Sequence, residues 1–149
     1  MKKIVSSLLL SVTLILVSTG CASESKTLTC TMEDNANNMF SMVQTEEAVF
    51  DGDKLVQLNQ NIKMTVKDEY VQYIENMAQG VRDQYAKIQD KDGVKFSVTV
   101  EGNVIDTTIN AEIAKLDDET KAALSMKNIE STTYAGGKKS LEQVGYTCK

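Results

Sequence analysis

The clearest structural pattern in the chain lies in Val94–Ile113, VKFSVTVEGNVIDTTINAEI. Gly102-Asn103 lies at its centre and suits a two-residue hairpin turn. Counting outward from this turn places alternate side chains opposite one another on one face, in the pairs Val100–Ile105, Val98–Thr107, Phe96–Ile109 and Val94–Ala111. The other face carries polar side chains throughout. This alternation predicts an antiparallel hairpin with one covered face and one solvent-exposed face.

Three further strands are predicted before this hairpin. Thr27–Met32 alternates between threonine and larger apolar residues, which is typical of a half-buried strand. A second strand lies within Met39–Phe50, and a third spans Leu55–Val66 after the hairpin turn Asp51-Gly52-Asp53. Polar residues interrupt the apolar pattern of the second and third strands at Gln44, Glu46, Glu47 and Gln60.

A long helix is predicted between the third strand and the hairpin. Thr65–Asp68 can form a capping box, and an apolar stripe follows at spacings of three and four residues. The stripe consists of Tyr70, Ile74, Met77, Val81, Tyr85 and Ile88. We expect this helix to cover the sheet.

The C-terminal third is predicted to hold short helices, one from Asp117 to about Met126 and a last helical turn at 140–143. Between them, 129–134 reads as extended and Gly136-Gly137 as a turn. Strands and helices do not alternate along the chain, so the fold class is α+β. The prediction is an antiparallel sheet of about five strands, covered on one face by the long amphipathic helix, with short C-terminal helices.

The composition excludes several classes of function. The chain has 16 basic and 21 acidic residues, which argues against nucleic-acid binding. It has no histidine, which removes imidazole catalysis and histidine metal sites. Asp117–Glu119 suits the first turn of a helix, and Asp90–Gly93 lacks the chelating ends of a calcium loop. We therefore expect no metal and no cofactor.

The N-terminus has the layout of an export signal. Lys2-Lys3 precedes an apolar run over 4–17, and Ser18–Cys21 resembles the lipobox of bacterial lipoproteins. The prediction is a signal peptide over 1–20, a lipidated tether over 21–26 that begins at an acylated Cys21, and one domain over 27–149. The protein would then be anchored by its lipid on the extracytoplasmic face of a bacterial membrane. Ordinary cleavage after Ala22 is the alternative.

With Cys21 lipidated, Cys30 and Cys148 remain as a pair in an oxidising compartment. A disulfide between them would close a loop of about 119 residues. A buried thiol together with a free thiol near the C-terminus is the alternative.

The order of these elements resembles the YehR-like small bacterial lipoproteins, a family of unknown function. The resemblance is carried by the lipobox cysteine, the early strand at 26–30, the mid-chain helix, the strand pair and the segment 139–146. It implies a membrane-anchored α+β domain and no agreed catalytic residues.

These features favour a non-catalytic module that binds an unknown protein or small ligand near the membrane. The candidate interaction surface combines the polar face of the hairpin with a tyrosine beside the glycine pair: Ser97, Thr99, Asp106, Thr108, Asn110 and Tyr134. Plain solvent exposure is the other interpretation of that face. Two other functions remain open: an enzyme that acts on envelope polymers through paired carboxylates, and a structural or stress-related envelope component.

Overall fold

The computed structural model describes residues 24–124, 126 and 132–149. Six strands form one antiparallel sheet in the order β4-β5-β3-β2-β1-β6. Their bounds are β1 Ser25–Asp34, β2 Phe40–Asp51, β3 Lys54–Val66, β4 Val94–Glu101, β5 Val104–Glu112 and β6 Thr147–Cys148. The α+β prediction is confirmed, and the short β6 is added to the five expected strands.

The hairpin of β4 and β5 has the register that the sequence predicts. Val100 pairs with Ile105 and Val94 with Ala111, with the intermediate pairs in phase. Gly102 has a φ of 59°, in the left-handed region that the turn requires and that glycine adopts most easily. The local sequence is therefore sufficient to set this part of the sheet.

The prediction that one long helix covers the sheet is wrong. A 3-10 turn, Asp68–Tyr73, is followed by helix α1 at Ile74–Tyr85. No side chain caps the first turn, and α1 packs mainly against β4. A helix is about 10–12 Å wide, whereas six strands spaced about 4.8 Å apart span roughly 24 Å. One helix is too narrow to cover this sheet.

Three C-terminal elements cover the rest of the same face. They are a 3-10 turn at Ile113–Lys115, helix α2 at Asp118–Ala123 and helix α3 at Tyr134–Gln143. Asp117 caps α2 by accepting a hydrogen bond of 2.7 Å from the backbone N–H of Thr120. Helix α3 packs against β1 and β6.

The predicted turn at Gly136-Gly137 is wrong, because both glycines lie inside α3. Thr133 caps this helix by accepting a hydrogen bond of 3.2 Å from the N–H of Gly136. A Cβ at Gly137 would lie 3.7 Å from the Phe50 ring and 3.8 Å from Leu28. The cap and the van der Waals contact of α3 with the sheet outweigh the poor helix propensity of glycine. Half of the extended stretch predicted at 129–134 lies outside the described residues, and its last residue, Tyr134, is the first residue of α3.

The core lies between the helices and one face of the sheet, which we call the inner face. A large cluster includes Leu28, Phe50 and Ile109, and a smaller one consists of Val66, Ile74, Ala78 and Ile105. The opposite, outer face carries mostly threonine, asparagine, glutamine and charged side chains.

Cys30 and Cys148 form a disulfide between β1 and β6, where they are directly paired. The N–H of Lys149 also donates to the carbonyl of Thr29 at 2.9 Å. The C-terminus is thereby held on the edge of β1. Cys21 and the predicted signal peptide lie outside the described residues, and none of the described helices has the length and apolarity needed to cross a membrane.

Candidate functional site

Glu46 is a charged residue in the interior of the protein. It lies in the middle of β2 on the inner face, between Cys30 of β1 and Gln60 of β3 in the strand register. Its neighbours in the same phase, Ala48 and Phe50, belong to the core. The alternation of the strand therefore turns Glu46 inward, and only 7% of the residue is exposed.

Three neutral donors contact one oxygen of this carboxyl group. Gln60 Nε2 donates to Oε1 at 2.6 Å, Gln44 Nε2 at 2.9 Å, and the Tyr146 hydroxyl makes a longer contact at 3.5 Å. Among the described residues, no hydrogen-bond donor contacts Oε2, and no Lys or Arg forms an ion pair with Glu46. The described residues therefore hold the carboxyl group through one of its two oxygens.

Burial dominates the electrostatics of this group. It raises the pKa of Glu46 above 4.5, while the hydrogen bonds from Gln44, Gln60 and Tyr146 act in the opposite direction. Burial, together with the nearby Glu46, raises the pKa of Tyr146 to about 12. The pKa of Tyr85 is raised by the same two causes.

A cleft of about 330 Å³ opens beside Glu46, between the inner face of β1–β3 and helix α3. This volume is at the lower end of the range of small-ligand sites, about 300–1,000 Å³. Its wall is mainly apolar and includes Leu28, Phe50, Leu55, Leu58, Leu124 and Leu141. Glu46 is the only acidic residue among the described residues that line it.

A second cavity of about 80 Å³ adjoins the cleft. Both spaces are lined by Glu46, Leu58, Leu124 and Met126, and the smaller one adds Gln60 and Ile109. Glu46 thus lies where the two spaces meet, and a ligand in either would contact it.

The predicted interaction surface is divided between the two faces of the sheet. Ser97, Thr99, Asp106, Thr108 and Asn110 lie together on the outer face of β4 and β5. Asn61 of β3 joins them, since its Nδ2 donates to Asp106 at 2.6 Å and to the Thr108 hydroxyl at 3.3 Å. Thr99 and Asp106 line an open depression on this face.

Tyr134 lies on the other side of the sheet, at the start of α3. Its ring packs edge-on against Phe50, with the centroids 5.6 Å apart. Tyr134 is therefore half-buried beside the cleft and separated by the sheet from the other five residues.

The sequence contained an indication that Glu46 is buried, but a search for apolar alternation alone passes over it. Gln44, Glu46 and Gln60 interrupt the strands at inward-facing positions, and the pairing of Glu46 with Gln60 brings them together. Inward polar residues on adjacent strands are typical of a buried polar cluster. Tyr146 could not have been added from the pattern, because its approach depends on the packing of the C-terminal segment.

The chemistry open to this site is narrow. A single buried carboxylate beside an apolar cleft can hold a donor or a cation, whereas hydrolysis of a glycosidic bond needs two carboxyl groups. No group of three or more acidic or cysteine side chains within the described part of the chain is arranged to hold a metal ion.

The fold has known counterparts, although no family model matches the chain and no curated protein matches it. A protein from Streptococcus pneumoniae TIGR4, solved by NMR, matches with a TM-score of 0.59 and 15% identity, over 100% of this chain and 98% of that chain. The Escherichia coli YehR protein, also solved by NMR, matches with a TM-score of 0.61 and 17% identity, over 83% of this chain and 91% of that chain. At these identities the likeness concerns the fold alone, and the chain has a YehR-like fold.

Proposed function

We propose that this protein is a lipid-anchored, extracytoplasmic bacterial binding module that takes a small ligand in the cleft beside Glu46. The observation that carries the proposal is a buried glutamate, 7% exposed as a residue, at the wall of a mainly apolar cleft of about 330 Å³. A concave apolar site with a few convergent polar groups is the usual form of a small-ligand site.

Binding is favoured over catalysis because the cleft offers one acidic group among its described lining residues. A carboxylate-dependent hydrolase would need a second. The outer face offers a weaker site, because its amide and carboxylate groups already bond to one another across β3 and β5.

Anchoring through Cys21 is supported by the lipobox-like Ser18–Cys21 and by the disulfide, which suits an oxidising compartment. The test is fractionation of cells that express the full chain or Cys21→Ala, with mass spectrometry of the N-terminal peptide. We expect an acylated peptide in the membrane fraction of the parent chain and its loss in the variant. An unmodified Cys21 in the membrane fraction would contradict the anchor.

Ligand binding can be followed in the full chain with methyl NMR spectra of its methionines in lipid nanodiscs. Met126 lines the cleft, whereas Met39 precedes β2 at the opposite end of the sheet. The probes are n-octylamine, 1-octanol and octanoate. We expect at least one probe to shift the Met126 signal saturably while Met39 is unchanged, and no saturable shift with any probe would overturn the proposal.

A matched pair of variants on α3 locates the binding. Ser140 lines the cleft, whereas Ala135 is exposed on the same helix and does not line it. Ser140→Trp should obstruct the cleft and weaken binding about tenfold or more, while Ala135→Trp should leave it intact. Equal effects of the two variants would place the ligand elsewhere.

A further inference from the structure

Glu46 is buried without a positive counter-charge among the described residues. Its three contacts come from neutral donors, and all three reach Oε1. Removing a carboxylate from water is costly unless a cation compensates it. A positively charged ligand group at the carboxylate would supply a counter-charge that none of the described residues provides.

The rest of the cleft is apolar and would suit a ligand whose charged group is attached to an apolar chain. The residues that line it include Leu28, Phe50 and Leu55 of the sheet and Leu141 of α3. Burial of apolar surface is favourable by about 25 cal/mol per Å². The chemistry of the site therefore fits an amphiphile rather than a polar solute.

The position of the cleft indicates where such a ligand would come from. Leu28 lies three residues into β1, near the end of the sheet that also carries the turn after Asp51. From Cys21 to Leu28 the chain extends at most about 25 Å. With Cys21 anchored as proposed above, this wall of the cleft lies close to the membrane surface.

We propose that the cleft binds a cationic amphiphile drawn from the adjacent membrane, with its ammonium group at Glu46 and its alkyl chain along the apolar wall. This inference rests on the proposed function and names its ligand class. The chemical recognition is a charge-assisted hydrogen bond from the ammonium to the carboxylate together with burial of one alkyl chain.

The ligand class is tested by comparing the three octyl probes at the Met126 methyl of the full chain. Because hydrogen bonds to charged groups are stronger than neutral ones, octylamine should bind about tenfold or more tighter than octanol, and octanoate weakest. If no probe shifts Met126, the proposed function itself fails. If all three bind equally, the proposed function stands and this inference is overturned.

Two adjacent residues provide the matched variants. Glu46→Gln keeps the shape of the side chain and removes its charge, so octylamine and octanol should then bind within about threefold of each other. Glu47→Gln removes a charge from the neighbouring position on the outer face and should preserve the tenfold preference. A preference that survives Glu46→Gln would also overturn the inference.

The membrane source is tested with the full chain anchored in vesicles that contain a small fraction of octadecylamine. We expect the Met126 signal to shift to its amine-bound position in the parent chain and to lose the shift in Glu46→Gln. A Met126 signal that responds to octylamine in solution but not to octadecylamine in the vesicle would overturn the membrane source.

Discussion

Gln60 and Asn61 are neighbours on β3, but their side chains belong to polar clusters on opposite faces of the sheet. Each amide donates a hydrogen bond of 2.6 Å to a carboxylate on the adjacent strand, Gln60 to Glu46 and Asn61 to Asp106. The acceptors differ in their surroundings. Glu46 is 7% exposed, whereas the Asp106 side chain is 33% exposed and lies 3.8 Å from Lys63.

Hydrogen-bond geometry does not by itself make a functional site. On the outer face, water solvates whatever the protein leaves unpaired, so the cluster can be changed at little cost. On the inner face, burial raises the pKa of Glu46, and each lost hydrogen bond leaves a buried polar group with one partner fewer.

The largest effect on stability is expected from removing the disulfide, which lies beside the polar cluster around Glu46. Cys30→Ala combined with Cys148→Ala should lower the free energy of unfolding by about 4–5 kcal/mol, because the closed loop is long. Release of the C-terminal segment should also lower the pKa of Tyr146 from about 12 toward 10.0. Urea denaturation and alkaline titration of tyrosine absorbance measure the two effects, and a loss under about 1 kcal/mol would contradict the first.

The direct comparison of the two faces uses Gln60→Ala and Asn61→Ala. Gln60→Ala removes the shortest hydrogen bond to a buried carboxylate, so it should cost about 2 kcal/mol and raise the pKa of Glu46 further. Asn61→Ala should cost less than about 0.5 kcal/mol. Urea denaturation of both variants at pH 7 checks the difference, and equal losses would remove the distinction between the clusters.

The charge of Glu46 should make stability depend on pH. Its pKa in the folded protein lies above the unfolded value of 4.5, so the folded state holds the proton more tightly. The free energy of unfolding should therefore fall as pH rises from 4.5 through the raised pKa. Glu46→Gln should abolish this fall. At pH 7 the variant should be more stable than the parent chain by over about 0.5 kcal/mol, which exceeds the usual effect of a surface substitution.

The matched control for this pH series is Glu47→Gln, which changes the formal charge equally on the outer face. It should leave the fall in stability in place. The same fall in Glu46→Gln as in the parent chain would mean that another group causes it.

The smallest effect is expected for the ion pair on the outer face. Lys63 Nζ lies 3.8 Å from Asp106, and their side chains are 58% and 33% exposed. A double-mutant cycle with Lys63→Met and Asp106→Asn should give a coupling of about 0.5 kcal/mol or less, reduced further by salt. A coupling above about 1 kcal/mol would show that the outer face is less solvated than its exposure indicates.

Local sequence patterns specify the hairpin of β4 and β5 and the start of α2. Period-two alternation in β4 and β5 and the glycine at their turn set the strand boundaries, the register and the side of the sheet to be buried. The same local information underlies the cap of α2 at Asp117. In each case the interacting residues are close in the chain, so the pattern contains both partners.

Other parts of the fold depend on contacts between residues that are distant in the chain. The width of the sheet left room for α3 beside α1. Contact of α3 with Phe50 and Leu28 accompanies a helical Gly137, although the propensity of glycine favours a turn. The candidate site likewise needs Glu46 and Tyr146 to meet across the fold. Gln44 and Gln60 are visible in the sequence as polar interruptions of the strands. The enclosure of Glu46, on which the candidate site depends, requires the packed helices, because burial is a property of the whole fold.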